Sequence, residues 1–225
     1  VSTSTTPRKK LAILISGSGS NLQAFIDAVQ QQTLMADIAI VISNRPGVKG
    51  LERARAANIP AEVIDHTQFP SRDAFDRALM SCIDRYQVDA IVLAGFMRIL
   101  GREFVRHYQG KLFNIHPSLL PRYPGLHTHQ RALEAHDKEA GATVHFVVPE
   151  LDAGSIVIQA RVAVCAGDTA DSLASRVIEQ EHRIYPLALQ WYCSGRLQLV
   201  PEGAMLDHCL LPASGVDFSS TFTGQ

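Results

Sequence analysis

Residues 10–21 read KLAILISGSGSN, and the fold class follows from how they divide. Lys10 to Ser16 is a short apolar run closed by glycine, which fits a strand buried on both faces of a parallel sheet. Gly17-Ser18-Gly19-Ser20-Asn21 breaks the run, and Leu22, Phe25, Ile26 and Val29 then recur at helical spacing. Strand, glycine turn and helix in that order present free N–H groups at a helix start, where the helix dipole favours an anion. The dinucleotide fingerprint G-x-G-x-x-G is not met, because Leu22 stands at the third glycine position. A single phosphate suits this turn better than a pyrophosphate; a plain strand–helix turn is the alternative.

Outward from that unit the alternation continues. Ile38 to Ile42 and Ala61 to Ile64 read as strands, with Val48 to Asn58 as a helix between them. Ser71 to Tyr86 is amphipathic, with Phe75, Leu79, Ile83 and Tyr86 on one face and Arg72 in the first turn. Ala90 to Gly95 is a further buried strand. Such alternation predicts a right-handed, doubly wound α/β layer. Ligands of these sheets bind beyond the carboxyl ends of the strands. Ser16 to Asn21, Gly95 to Leu100 and Asn114 to His116 are therefore expected to meet.

The stretch 113–129, FNIHPSLLPRYPGLHTH, holds Pro117, Pro121 and Pro124. Proline lacks an N–H and restricts its predecessor, so the segment reads as a stiff loop rather than a helix or an inner strand. Asn114 and His116 are two apart and face the same side of an extended strand end. A neutral donor then stands beside a group that titrates near neutral pH. Thr128 to Ala135 is a helix. Thr143 to Val148 and Ile156 to Val164 flank a turn containing Glu150, Asp152 and Gly154, so the sheet is expected to end in an antiparallel hairpin. Ser172 to Gly195 is a long helix with Glu181 and His182 exposed on one side, and Leu197 to Leu199 a last short strand. Residues 1–10 read as a flexible tail, 11–200 as a single domain, and 201–225 as a loose C-terminal extension.

With 225 residues, 21 basic, 22 acidic and a net charge of −1, the chain shows no basic stripe. Nucleic acid is not expected as a partner. No apolar run approaches the roughly 20 residues of a membrane span. Cys82, Cys165, Cys193 and Cys209 form no CxxC pair and read as reduced thiols. The start, VSTSTTPRKK, lacks the apolar core of a signal peptide, so a cytoplasmic location is expected.

LISGSGSNLQAFIDA, GLERARAANIP, VLAGFMRIL, NIHPSLLPRYPGLHTHQRAL and TVHFVVPELDAGSIVIQARV occur in that order. Together they resemble the folate-dependent phosphoribosylglycinamide formyltransferases of the monofunctional bacterial type, over about Leu11 to Leu199. The resemblance implies a Rossmann-like three-layer α/β formyltransferase fold, mostly parallel, with antiparallel strands in its C-terminal part. It implies Asn114, His116 and Asp152 as the catalytic trio. It places the phosphoribosylglycinamide on Gly19, Ser20, Asn21 and Ile178, Glu179, Gln180, Glu181. It places 10-formyltetrahydrofolate, a co-substrate, on Arg72, Met97, Arg98, Ile99, Leu100 and Asn114, and on Val148, Pro149, Glu150, Leu151 and Asp152. Ser18, where the family often has Asn, and the apolar Ile178 depart from the pattern. The implied partners are these two small molecules, with no metal, no nucleic acid and no membrane, for a monomer or homodimer.

In the implied reaction an amine attacks the formyl carbon and negative charge gathers on oxygen. Preorganised donors there are worth about 3–4 kcal/mol each. The Asn114 amide and a protonated His116 are suitable donors. Asp152, 36 positions after His116 (152 − 116), has to approach through the fold. A carboxylate beside an imidazole favours its protonated form and can pass on the amine's proton. His127 and His129 are read as loop anchors rather than a zinc pair. His145 either lines the site or is a satisfied core histidine, and Ser118 caps its own loop. A formate-releasing hydrolase has no need of a phosphate turn or Glu181, and a pure binding module has no need of the trio.

Overall fold

The computed structural model describes residues 7–218. The chain lays down β1 (Lys9–Ile15), α1 (Ser20–Gln30), β2 (Ala36–Ser43), α2 (Lys49–Ala56), β3 (Ala61–Val63), α3 (Arg72–Arg85) and β4 (Ala90–Leu93). α4 (Arg102–His107), β5 (Leu112–His116), α5 (Thr128–Glu134), β6 (Glu139–Phe146), β7 (Ile156–Ala163) and α6 (Ala170–Cys193) follow. β8 (Leu197–Val200), β9 (Gly203–Leu206), β10 (Cys209–Leu210) and β11 (Val216–Asp217) complete the described chain.

Eight strands form one sheet in the order β11-β7-β6-β5-β4-β1-β2-β3. β3, β2, β1, β4 and β5 pair in parallel; β6 is antiparallel to both β5 and β7. The chain builds outward from β1 to β3, then returns to lay β4 on the other side of β1. The turns leaving β1 and β4 therefore diverge and open a crevice at their carboxyl ends. β1 is buried from Leu11 to Ile15, as its unbroken apolar run predicts. Leu11, Ile13 and Ile15 face α1 and α6 through Leu22, Phe25, Val177, Ile184 and Tyr185. Ala12 and Leu14 face α3 and α4 through Phe75, Leu79, Ile83, Phe104 and Val105.

Past β5 the second face of the sheet changes character. Asn114 pairs with His145 across β5 and β6, His116 with Thr143, and Thr143 with Gln159 across β6 and β7. These polar side chains share one face, and loops cover it. Thr143 Oγ1 donates to Ser118 O (2.6 Å) and accepts from Leu120 N (3.1 Å) and Gln159 Nε2 (3.0 Å). Its one hydrogen and two lone pairs are all engaged. Gln159 Nε2 also donates to Leu120 O (2.8 Å), so two side chains from the sheet fix the proline loop.

Three expectations are corrected here. Phe113 to His116 is not loop: β5 lies inside the sheet between β4 and β6. The prolines start at Pro117 and deny N–H groups only beyond the strand's last ladder bonds. Residues 203–217 are not a loose extension either. β9 and β10 form a small antiparallel sheet with β8, and β11 adds to the edge of β7 in parallel. Lys9 and Lys10 belong to β1, while residues 1–6 and 219–225 lie outside the described residues. The short helix α4 was not anticipated. Among the described residues no helix is long and apolar enough to cross a membrane.

The turn joining β6 to β7 is held by a close backbone contact. A Cβ on Gly154 would lie 1.7 Å from Phe146 O. Gly154→Ala is expected to lower stability by about 1–3 kcal/mol, since the turn must shift. Urea unfolding measures this, and an unchanged midpoint would show the turn to be free to move.

Candidate active site

β5 ends at the crevice with Asn114 and His116 on one face. Asp152 reaches them from the β6–β7 turn in a left-handed conformation, φ 50°. Its Oδ2 lies 3.5 Å from His116 Nδ1, and the two side chains are 8% and 7% exposed. The same oxygen accepts from Gly125 N (2.9 Å). Oδ1 lies 3.9 Å from His145 Nε2. His116 Nε2 must donate to the carbonyl of Tyr123 (2.8 Å). A neutral His116 would then turn a bare Nδ1 toward the carboxylate, and two acceptors would face each other. The pair is complementary only when it holds one proton more.

His145 is built for the opposite state. Its Nδ1 donates to Phe146 O (2.9 Å), which leaves Nε2 free to accept from Asn114 Nδ2 (3.2 Å). Burial holds the His145 imidazole below its usual pKa; the Phe146 bond and Asp152 oppose this, and His116 adds to it. A neutral His145 thereby orients the Asn114 amide, leaving one amide hydrogen and the oxygen for other partners.

The glycine turn is braced from α2. Gly19 takes a left-handed φ of 68° at the start of α1, and a Cβ there would lie 2.7 Å from Gly50 Cα. Gly50 N donates to Gly17 O (3.1 Å), and Arg53 Nε to Ser18 O (2.9 Å). No acidic residue stands in the first turn of α1 to occupy its N–H groups. Asn21 Nδ2 donates to Glu181 Oε2 (2.8 Å), while Asn21 Oδ1 is buried without a partner. Glu181 is only 7% exposed, which corrects its expected exposure. Val177, Glu181, Ile184 and Ala188 recur on the inward stripe of α6. Burial raises the Glu181 carboxyl above its usual value, and the Asn21 bond opposes this. Ile178 and Glu179 face solvent, with Gln180 half-buried.

The loop after β4 forms the other wall. Ser16 Oγ donates to Asn44 Oδ1 (2.5 Å) and accepts from Met97 N (2.7 Å), tying the loop to the end of β1. Met97 (67% exposed), Ile99 (59%), Leu126 (70%) and Leu151 (58%) leave large apolar side chains in solvent. Their segments border the trio, and Leu100 is buried beneath them. Arg98 lies over the Phe75 ring at 5.7 Å, Arg72 is exposed, and Glu150 approaches Arg102 at 3.9 Å. Val148 and Pro149 are half-buried. Such an apolar rim around a few convergent polar groups suits a flat, largely apolar ligand. A cleft of about 660 Å³ lies elsewhere, lined by Ser20, Asp27, Arg53, His182 and Arg183 among others. It touches the glycine turn at Ser20 but none of the trio.

The structure thus gathers the trio, sets the glycine turn against Glu181, and aligns the β4 loop with the Asp152 turn. Gln159 was not singled out in the sequence, although a polar residue in an otherwise apolar strand was a visible signal. Ser118 does close its own loop, donating to Arg122 O (2.6 Å). Neither His127 nor His129 anchors it: His127 is exposed, and His129 Nδ1 is buried without a partner. Arg131 does so instead, through Pro124 O (2.7 Å).

The formyl transferase family model matches residues 9–189. The phosphoribosylglycinamide formyltransferase of Escherichia coli (strain K12) is 52% identical over 205 residues, covering 91% of this chain and 97% of that protein. That of Haemophilus influenzae is 48% identical over 207 residues, covering 92% and 98%. A solved phosphoribosylglycinamide formyltransferase structure from Coxiella burnetii superposes with a TM-score of 0.90 at 48% identity, covering 94% of this chain and all of that one (100%). The matched segment contains the glycine turn, the trio and Glu181, and the chain belongs to the formyl transferase family.

Proposed function

We propose that this chain transfers the formyl group of 10-formyltetrahydrofolate to the amine of N1-(5-phospho-D-ribosyl)glycinamide. The products are formylglycinamide ribonucleotide and tetrahydrofolate, in purine biosynthesis. One observation carries the reading: the His116–Asp152 pair, which needs a proton to be complementary, stands at the same carboxyl edge of the sheet as the glycine turn and the apolar rim. The N–H groups of Gly19, Ser20 and Asn21 take the phosphate. Glu181, held by Asn21, accepts from the ribose hydroxyls, with Ile178, Glu179 and Gln180 bordering it. Met97, Ile99 and Leu151 flank the folate rings. Arg98, Leu100, Val148, Pro149 and Glu150 shape that pocket, and Arg72 lies at its edge.

The remaining Asn114 amide hydrogen and the proton on His116 stabilise the oxygen of the attacked formyl group. The new bond joins the amine nitrogen to the formyl carbon, and the bond to the folate nitrogen breaks. The amine loses one proton and the folate nitrogen gains one. Asp152 and His116 relay it, so the pair ends in the state in which it began.

Mixing the protein with 10-formyltetrahydrofolate, with and without the nucleotide, and following the folate absorbance tests this directly. Turnover is expected only with the nucleotide, and Asp152→Asn should lower kcat on the order of 10²- to 10⁴-fold. Formate released without nucleotide would make the chain a hydrolase and overturn the proposal.

At the glycine turn, Gly19→Ala introduces both a strained φ and a clash with Gly50. The KM for the nucleotide should rise about tenfold or more, with that for the folate little changed. Equal rises in both would remove the phosphate from this turn. Glu181→Gln addresses the buried carboxyl. Because burial raises its pKa in the folded state, its contribution to stability is complete below the unfolded value and lost as pH rises through the folded one. The neutral variant should lose less melting temperature than wild type as pH rises above the usual carboxylate range, and bind the nucleotide more weakly. Parallel melting profiles would contradict the first, and unaltered affinity the second.

A further inference from the structure

We infer that Asp76 is a positioning residue for the formyl donor, holding the loop that follows β4 through the Gly101 N–H. This rests on the proposed assignment of that loop to the folate. Asp76 lies on α3 and is 4% exposed among the apolar side chains of the α3–α4 core. Its Oδ2 accepts from Gly101 N at 2.7 Å, while Oδ1 is buried with no partner. Packing does not call for a carboxylate here, since an apolar side chain of similar shape would avoid the cost of the unpaired oxygen. Burial raises its pKa; the Gly101 bond is the largest opposing influence, Arg72 and Arg98 lower it further, and Asp73 raises it.

Gly101 fits this contact from the other side. A Cβ there would lie 2.8 Å from Asp76 Oδ2, although the backbone φ of −72° is open to any residue. Glycine is therefore placed for close approach rather than for conformation. The loop is thus pinned twice, at Met97 N by Ser16 and at Gly101 N by Asp76. Between the pins, the backbone N–H groups of Arg98, Ile99 and Leu100 have no hydrogen-bond partner among the described residues. A stretch of main chain held at both ends, with open donors and the exposed Met97 and Ile99, is preorganised for a ligand. Asp76 touches no ligand itself, and its effect passes through the loop.

Steady-state kinetics on Asp76→Leu, Asp76→Asn and Gly101→Ala test the inference, together with calorimetric binding of tetrahydrofolate. Asp76→Leu removes the acceptor and should raise the KM for 10-formyltetrahydrofolate on the order of tenfold, the weight of one hydrogen bond to a charged group. The nucleotide KM and the kcat at saturation should stay near wild type. Asp76→Asn keeps an amide oxygen for the Gly101 N–H and should restore most of the loss. Gly101→Ala crowds the carboxylate from the loop side while leaving the Asp76 side chain in place, and should reproduce the Leu phenotype, even where Asp76→Leu folds poorly. Wild-type protein that binds tetrahydrofolate, with Asp76→Leu and Gly101→Ala binding equally well, would overturn the inference. Wild-type protein that does not bind tetrahydrofolate would overturn the folate reading of the loop instead. Loss in Asp76→Asn as large as in Asp76→Leu would also sink the positioning role, because it would point to the charge and not the hydrogen bond.

Discussion

The Asp152 carboxylate joins the proline loop, the end of β5 and strand β6. Its Oδ2 receives the Gly125 N–H of the proline loop and faces His116 at the end of β5, while Oδ1 faces His145 on β6. A left-handed aspartate is an uncommon backbone state that needs support from its surroundings. Here that support is the close backbone contact at Gly154 and the bond from Gly125. The carboxylate therefore depends on the turn, the loop depends on the carboxylate, and His116 depends on the loop for its bond to the Tyr123 carbonyl. Displacing any one of them loosens the other two.

The two histidines near that carboxylate differ in what their second ring nitrogen faces. Both are buried, and each has one nitrogen donating to a backbone carbonyl. His145 offers its second nitrogen to an amide donor from Asn114, which suits a neutral ring. His116 turns its second nitrogen to a carboxylate, which suits a proton between them. The contact of 3.5 Å is too long for a strong hydrogen bond. The neutral His145 ring orients the Asn114 amide, and the second nitrogen of His116 is left facing the carboxylate. Strand register sets this difference, since Asn114 stands opposite His145 and His116 opposite Thr143.

Much of this was legible because it is local. The strand at Leu11 to Ile15, the glycine turn and the helix after it are coded by adjacent residues, and the hairpin of β6 and β7 by its turn. The trio was legible through resemblance, since no spacing rule brings Asp152 to His116. What escaped the sequence depends on distant partners. Prolines just past His116 concealed that β5 is an inner strand, because its neighbours β4 and β6 lie elsewhere in the chain. Glu181 was read as exposed because a charged residue usually is, whereas α6 turns it toward Asn21. The strands after Val200 were hidden by turn-rich composition, and only β7's open edge makes β11 a strand. Thr143 and Gln159 belong to strands that were legible, but the loop they hold is remote in sequence and gave no sign of their role.

The placement of buried charge gives a further step. Among the described residues the buried acids and histidines are Asp76, His116, His145 and Glu181, and the Asp152 side chain is nearly as enclosed. Each carries a desolvation cost that an apolar residue would avoid. Chance or stability alone would scatter such groups over both ends of the sheet. They cluster instead at the carboxyl edge: Glu181 behind the glycine turn, Asp76 under the β4 loop, and the histidines with Asp152 beyond that loop, at β5 and β6. Each holds a neighbour in place: Glu181 holds Asn21, Asp76 holds Gly101, His145 holds Asn114, His116 holds Tyr123, and Asp152 holds Gly125. The stability forgone in burying these charges is thus concentrated where backbone and side-chain donors must be fixed before any ligand arrives. The apolar interior of the sheet, with β1 buried from Leu11 to Ile15, supplies the stability that supports this arrangement.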